Sequence, residues 1–301
     1  MTNDTNLQLD TPIVQDSPWL MTWRQFRRHR LAMLSLILLI IFGLAALFAE
    51  ELASYNPNDI DPRNASVHRG YPQAPSPDHI MGTDNFNRDL FSRALFGMRI
   101  SLSVGLFAMA IGVSVGVFVG ALAGYAGGFV DNILMRTVDV FLSLPTFVLF
   151  LALNAIFPPS ILTIIGILGV FSWMEVARLV RAEFLSLKER DFVLAARAIG
   201  VSPLRMILQH LLPNALAPVI VAATLAIPAA ILSESALSFL GLGVPPPDAS
   251  LGSMLQDAKS WLIDAWWMWV TPGVLVSLIV LAFNFVGDGL RDALDPTLRR
   301  R

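Results

Sequence analysis

Four histidines, two lysines and no cysteine set the first limits on the chemistry open to this chain of 301 residues. His29, His68, His79 and His210 form no H-E-x-x-H pattern, so the spacing that puts two imidazoles on one helix face around zinc is missing. His68 and His79 share a polar stretch with Asp78 and Asp84. Side chains of this kind on a polar loop are as a rule solvated, and no metal site is assigned to them. Lys188 follows Leu187 and Lys259 follows Ala258, so G-x-x-x-x-G-K-[ST] cannot occur and no phosphate-cradling loop of that kind exists. No order of serine, histidine and aspartate suggests a triad, and without cysteine there is no thiolate and no disulfide. The chain is therefore expected to be no enzyme and to bind no catalytic group, cofactor or metal itself. A net charge of −2 gives no reason to expect nucleic acid as a partner.

The remaining polar residues of interest lie in or beside apolar runs, where an ionisable group is costly and defaults to a functional hypothesis. Glu234, flanked by Ser233 and Ser235, falls near one end of such a run. Two roles stay open for it: lining a path through the membrane, or bonding only to neighbouring hydroxyls and backbone. Glu175 and Asp139 fall near the opposite ends of their runs and read as structural or interfacial. Asn154 and Asn284 read as hydrogen-bond partners between helices rather than ligands.

What must position these residues is a membrane bundle. Hydrophobic residues make up 55% and charged residues 15% of the chain, and mean hydropathy is +0.63. Several apolar runs approach the roughly 20 residues that a helix needs to cross the hydrocarbon core. Six spans are expected: Leu31–Ala49, Ile100–Tyr125, Val138–Phe157, Ile161–Ala177, Ala215–Leu232 and Trp269–Val286. The first run is too long for a signal peptide, and no A-x-A site follows it. Before it, Trp19 to Arg30 carries four arginines with Trp19, Trp23 and Phe26, the pattern of an interfacial amphipathic helix. Arg88–Arg99 is expected as a second interfacial helix, and Pro158-Pro159-Ser160 as a tight turn between spans three and four. The organisation that follows is a cytoplasmic tail and interfacial helix over 1–30, the first span and a long outer loop over 31–99, a core of five spans over 100–290, and a cytoplasmic tail over 291–301. With both termini inside, fifteen of the 21 lysines and arginines fall on the inner side, as the positive-inside rule requires. Gly112, Gly116, Gly120 and Gly124 recur every four residues and place one small-residue stripe on the second span. That stripe suits close packing within the chain or against a second subunit.

Asp191 to Asn214 is the charged stretch between the fourth and fifth spans. Ala195, Ala196 and Ala198 favour a short smooth helix. Gly200 ends it as a left-handed cap, and Ser202 and Pro203 start a second helix as N-cap and first position. That helix is expected to run to Leu212 and to be broken by Pro213. The product is a helix-turn-helix elbow on the inner face, suited either to a groove in a soluble partner or only to turning the chain back into the membrane.

These residues also carry a resemblance. Ala195-Ala196, three residues, Gly200, nine residues and His210-Leu211-Leu212-Pro213 resemble the EAA loop of ATP-binding-cassette (ABC) importer permeases. Leu194 stands where that loop has its glutamate, and His210 where it often has isoleucine. GTDNFNRDLFSRALFGMRISLSVG (Gly82–Gly105), YAGGFVDNILMRTVDVFLSLP (Tyr125–Pro145) and ESALSFLGLGVPPPDASLGSML (Glu234–Leu255) are similar to further blocks of the dipeptide, oligopeptide and nickel branch, in the order of its C-type permease subunit. Asn87 replaces a usual glycine and Leu251 a frequent tryptophan. The resemblance implies an all-α membrane protein of the type I importer permease fold in a bacterial inner membrane. It implies a second homologous permease subunit as heterodimer partner, two ATP-binding cassette ATPase subunits holding ATP and Mg, and an extracytoplasmic substrate-binding protein. Asp191, Ala195, Ala196, Gly200, Ser202, Pro203, His210, Leu212 and Pro213 would then form the coupling loop. The implied cargo is a peptide; a nickel chelate or other non-peptide solute of the same branch is the alternative, ahead of a passive channel or an exporter.

Overall fold

The computed structural model describes residues 18–60 and 71–294, so the calls on the N-terminal tail, His68 and Arg299–Arg301 lie outside the described residues. Every regular element among those residues is helical, apart from one isolated bridge between Thr83 and Asp89.

Helix α1 (Pro18–Arg28) is the expected amphipathic helix. Its Phe26 is 3% exposed. His29 separates it from α2 (Arg30–Leu47), the first span, and caps α2 by accepting the Ala32 N–H at Nδ1 (3.1 Å). A short α3 (Ala49–Leu52) follows. Helix α4 (Leu90–Ala126) corrects one expectation: the interfacial helix over 88–99 and the second span are one uninterrupted helix of 37 residues. No proline lies between Asp89 and Ala126 to break it. The carboxylate of Asp89 starts it by accepting the Ser92 N–H (2.8 Å). Gly97 lets the helix run within contact of the Ser250–Leu251 backbone.

The third span is bent. Helices α5 (Gly128–Leu142) and α6 (Thr146–Ile156) meet at 82°, where a straight helix over 138–157 was expected. Pro145 supplies the reason: it offers no N–H to the preceding turn and drives Leu144 away from helical geometry. Ser160 then caps α7 (Ile161–Lys188) through the Thr163 N–H. This helix continues well past Ala177, where the sequence suggested that the span ends. Its extension is held to the bundle by ion pairs. Arg181 meets Asp131 of α5 in a bidentate pair (Nη2 to Oδ2, 2.6 Å), Arg178 meets Asp139, and the Lys188 ammonium donates to the carbonyls of Gly124 and Tyr125 that end α4 (3.1 and 2.9 Å).

The glycine stripe packs inside the chain. A Cβ at Gly116 would lie 2.7 Å from the Trp173 carbonyl, and one at Gly120 would lie 2.5 Å from that of Ala177. Gly112 and Gly124 face Ser172 and Phe184 in the same way. All four neighbours lie on α7, so α4 and α7 form the close central pair of the bundle.

After α8 (Asp191–Ala198), the fifth span begins inside the elbow. Helix α9 runs from Pro203 to Phe239, with a π turn at Met206–Leu211. The expected break at Pro213 is absent. A proline there removes the N–H that would reach back to residue 209. The wider turn before it, in which the Leu212 N–H reaches Ile207 five residues back, absorbs the mismatch. Helices α10 (Leu251–Ala258) and α11 (Trp266–Leu294) complete the chain. Helix α11 packs on α9 and carries α2 and α1 on its flank. Among the described residues, five helices are long and apolar enough to span a membrane, and six if the bent pair counts as one span.

Candidate functional site

The two ends of the bundle are built differently. At the elbow end, Val193 and Ala196 of α8 are buried with Val180, Phe184, Met206 and Leu211. The opposite side of the elbow is bare: Leu194, Ile199, Leu204 and Leu208 are exposed, Ile199 by 82%. Asp191, Ala195, Ser202, Pro203 and Pro213 are also exposed, whereas His210 and Leu212 are half-buried. Gly200 has φ +79° and its N–H bonds to Arg197 O, while the Val201 N–H reaches Ala196 O. This is the left-handed cap that the sequence called for. Ser202 occupies the N-cap position, but its hydroxyl makes no capping bond there; its carbonyl accepts the Met206 N–H (2.8 Å). Fixed φ at Pro203 is then what starts the helix.

Along the bundle's side lies a cleft of about 520 Å³. Its wall is mostly apolar, with Phe150 of α6, Phe171 of α7 and Leu225 of α9, and its polar groups include Thr146, Glu175 and Ser233. Ser233 and Glu234 point apart. Ser233 lines the cleft, whereas Glu234 is fully buried and Ser235 is buried beside it. The Glu234 carboxylate accepts from Ser101 of α4 (2.9 Å) and Ser238 (2.7 Å). Ser238 in turn accepts from Ser250, and Ser101 accepts the Leu251 N–H. Glu234 thus joins α4, α9 and the start of α10. Glu175 lies on the cleft wall, midway along α7.

At the other end, residues 71–89 fold over the tops of α4, α10 and α11. Here the solvated reading fails for His79 and Asp84, 1% and 2% exposed, and holds for Asp78, which is exposed. His79 Nδ1 lies 2.9 Å from Asp89, under the ring of Tyr55. Asp84 accepts the N–H groups of Phe86 and Arg88, and its Oδ2 lies 2.6 Å from Arg88 Nε and 3.3 Å from Arg93 Nε. Asp257 of α10 stands behind both arginines; burial pushes its carboxyl above the ordinary value, against the pull of Arg93 and Arg88. Trp267 of α11 donates to Thr83 O (3.2 Å). Asn87 has φ +60°. Glycine is at home in that conformation and asparagine tolerates it, which accounts for the substitution seen in the sequence. A second cavity of about 550 Å³ opens beside this cap, bounded by Glu50, Tyr55, Phe96 and Asp248.

Comparison with known proteins agrees with this architecture. The family described as binding-protein-dependent transport system inner membrane component matches residues 116–300. The N-terminal transmembrane domain of oligopeptide transport permease C matches residues 17–75. A dipeptide transport system permease of Alkalihalophilus pseudofirmus is 40% identical, over 94% of this chain and 91% of that one. A glutathione transport system permease of Shigella flexneri is 40% identical, over 94% and 92%. Among solved structures, the inward-facing methionine ABC transporter MetNI aligns with TM-score 0.53 and 22% identity, covering 68% of this chain and 96% of that chain, which is a likeness of fold. By its own sequence, then, the chain belongs to the inner-membrane components of binding-protein-dependent transport systems.

Proposed function

We propose that this chain is one permease subunit of a peptide importer, paired with a second, homologous permease whose own cleft faces it across the path. Peptide cargo is favoured by relatives named for dipeptide and glutathione transport, glutathione being itself a tripeptide. In this reading the elbow end is cytoplasmic, with both termini on that side, in keeping with the arginine-rich segments there. Two ATPase subunits hold ATP and Mg and grip the bare apolar side of the elbow. A substrate-binding protein docks at the opposite end. This chain supplies the path and the coupling and performs no catalysis.

The observation that carries the reading is the unbroken helix from Pro203 to Phe239. Its first turns belong to the elbow, and farther along it Ala222, Leu225, Ala226 and Ser233 line the cleft. A displacement of the elbow is therefore passed along one continuous helix to the cleft wall. That is what a two-state transporter biased by a partner's nucleotide requires.

The test is uptake of labelled tri-alanine by the full complex in proteoliposomes. Entry that needs both ATP on the elbow side and binding protein on the other is expected. Entry indifferent to ATP would make the chain a channel, and ATP-driven movement in the other direction an exporter. Transport of nickel chelates with no peptide transport would move the cargo elsewhere in the branch.

A further inference from the structure

Glu175 is the charged residue on the cleft wall. Its surroundings are otherwise apolar side chains and the hydroxyls of Thr146, Ser172 and Ser233, none of which bonds to it. Ser172 donates to Gly169 O and Ser233 to Ala229 O, within their own helices. The nearby arginines of α7 are committed too, Arg178 to Asp139 and Arg181 to Asp131. Glu175 itself makes no hydrogen bond or ion pair among the described residues. It is exposed to the cleft and lies midway along a spanning helix of 28 residues. A carboxylate kept on an apolar cleft wall without a partner is an expense that packing does not require, since its helix neighbours seal the bundle through Met174, Val176 and Ala177.

We propose that Glu175 is the charge-selecting residue of this chain's half of the path, receiving the cationic group of the passing solute. On a peptide that group is the free amino terminus or a lysine or arginine side chain. In a cleft walled by apolar side chains a single negative charge acts at longer reach than it would in open water. It lowers the cost of bringing an ammonium group to this depth and raises it for a carboxylate. The proposal rests on the peptide-import reading, because it names the chemistry of that cargo. It also makes a claim about the field in the cleft that does not depend on transport.

Both parts can be measured. The chain has no cysteine, so Leu179→Cys, one turn from Glu175 on the cleft wall, gives this subunit a single thiol. In the assembled complex, a trimethylammonium methanethiosulfonate should modify that thiol about tenfold faster than the sulfonate reagent of similar size, relative to their rates with a free thiol. Glu175→Gln should abolish the preference and Glu175→Asp restore most of it. In transport, Glu175→Gln should lower tri-alanine uptake about tenfold while leaving N-acetyl-tri-alanine uptake at its own wild-type level. Equal reagent rates beside the native Glu175 would overturn the proposal outright. So would a Gln variant that loses both peptides by the same factor, which would mark a structural role. A preserved reagent preference with no transport of either peptide would instead overturn the import reading and leave cation selection standing as a property of the cleft.

Discussion

The cap and the elbow both lie outside the apolar runs, both are rich in charge, and they are finished to opposite degrees. In the cap, Asp84 meets Arg88 and Arg93, His79 meets Asp89 and Trp267 meets the Thr83 carbonyl, all within the same chain, while Gln73, Asn85 and Asn87 each keep one buried side-chain atom without a hydrogen bond. In the elbow, Ile199, Leu204 and Leu208 leave more than half of their apolar surface uncovered, and Leu194 just under half. A segment whose ion pairs close within the chain can serve as a fixed frame at one end of the bundle. One that leaves an apolar side uncovered, on a helix continuous with the cleft wall, is shaped for something that arrives. If this contrast is sound, substitutions in the cap's buried ion pairs should act first on the folding of the chain, and those in the elbow on its work with the partner that arrives there.

Asp84→Ala should have the largest effect. It leaves Arg93, 3% exposed, with only the Pro57 carbonyl (3.2 Å) and the more distant Asp257 (3.8 Å). Removing one member of a buried pair costs about 3–5 kcal/mol. The thermal unfolding midpoint of the solubilised chain should fall sharply, with poor recovery from membranes. The control is Glu50→Ala, which breaks an exposed pair with Arg99 and should cost no more than about 1 kcal/mol. Equal losses from the two would mean that the cap is no tighter than ordinary surface.

The second effect belongs to the turn of the elbow. Gly200 has φ +79°, and a Cβ there would meet nothing within 4 Å, so the penalty for a side chain is purely one of backbone. Gly200→Val should disfavour the observed turn by roughly 1–2 kcal/mol. It should tilt α8 off its seat and lower ATP-driven uptake about tenfold at unchanged membrane level. Gly200→Asn should keep most of the uptake, since Asn87 already holds φ +60° in the cap. Full activity of the valine variant would show that the elbow's turn has no part in coupling.

How much of this could be read in the sequence follows the range of the interactions. The elbow's turn was legible because Gly200 and Pro203 act on their own backbone, and the stripe from Gly112 to Gly124 because four residues return to one helix face. The ion pairs that hold the extension of α7 were not: Asp139 and Asp131, some forty to fifty residues earlier, come beside Arg178 and Arg181 only in the folded chain. The burial of His79 and Asp84 was hidden in the same way, by partners that only the folded cap assembles. At Pro145 and Pro213 one signal gave two outcomes. Pro145 breaks its helix, while a π turn absorbs Pro213, and hydropathy does not register that difference.

The smallest effect should come from Leu194→Glu, which restores the acid that the EAA pattern places there. Leu194 is 47% exposed, so losing its contacts should change the stability of the chain by no more than about 0.5 kcal/mol. The new carboxylate would lie in the first half of α8, where the helix dipole favours it, and three residues before Arg197, a favourable spacing. Nothing in the chain itself therefore opposes the change. What opposes it is the company Leu194 keeps, since Ile199, Leu204 and Leu208 also leave apolar surface bare. A partner surface that covers such a patch would have to desolvate the acid. The expected result is an unchanged unfolding midpoint with ATPase stimulation lowered about threefold, and recovery of stimulation with Leu194→Met. A drop in midpoint of several degrees would mean that α8 is packed within the chain as the cap is, and the contrast between the two ends would fail. Unchanged stimulation would place Leu194 outside the partner contact and confine the docking surface to Ile199, Leu204 and Leu208.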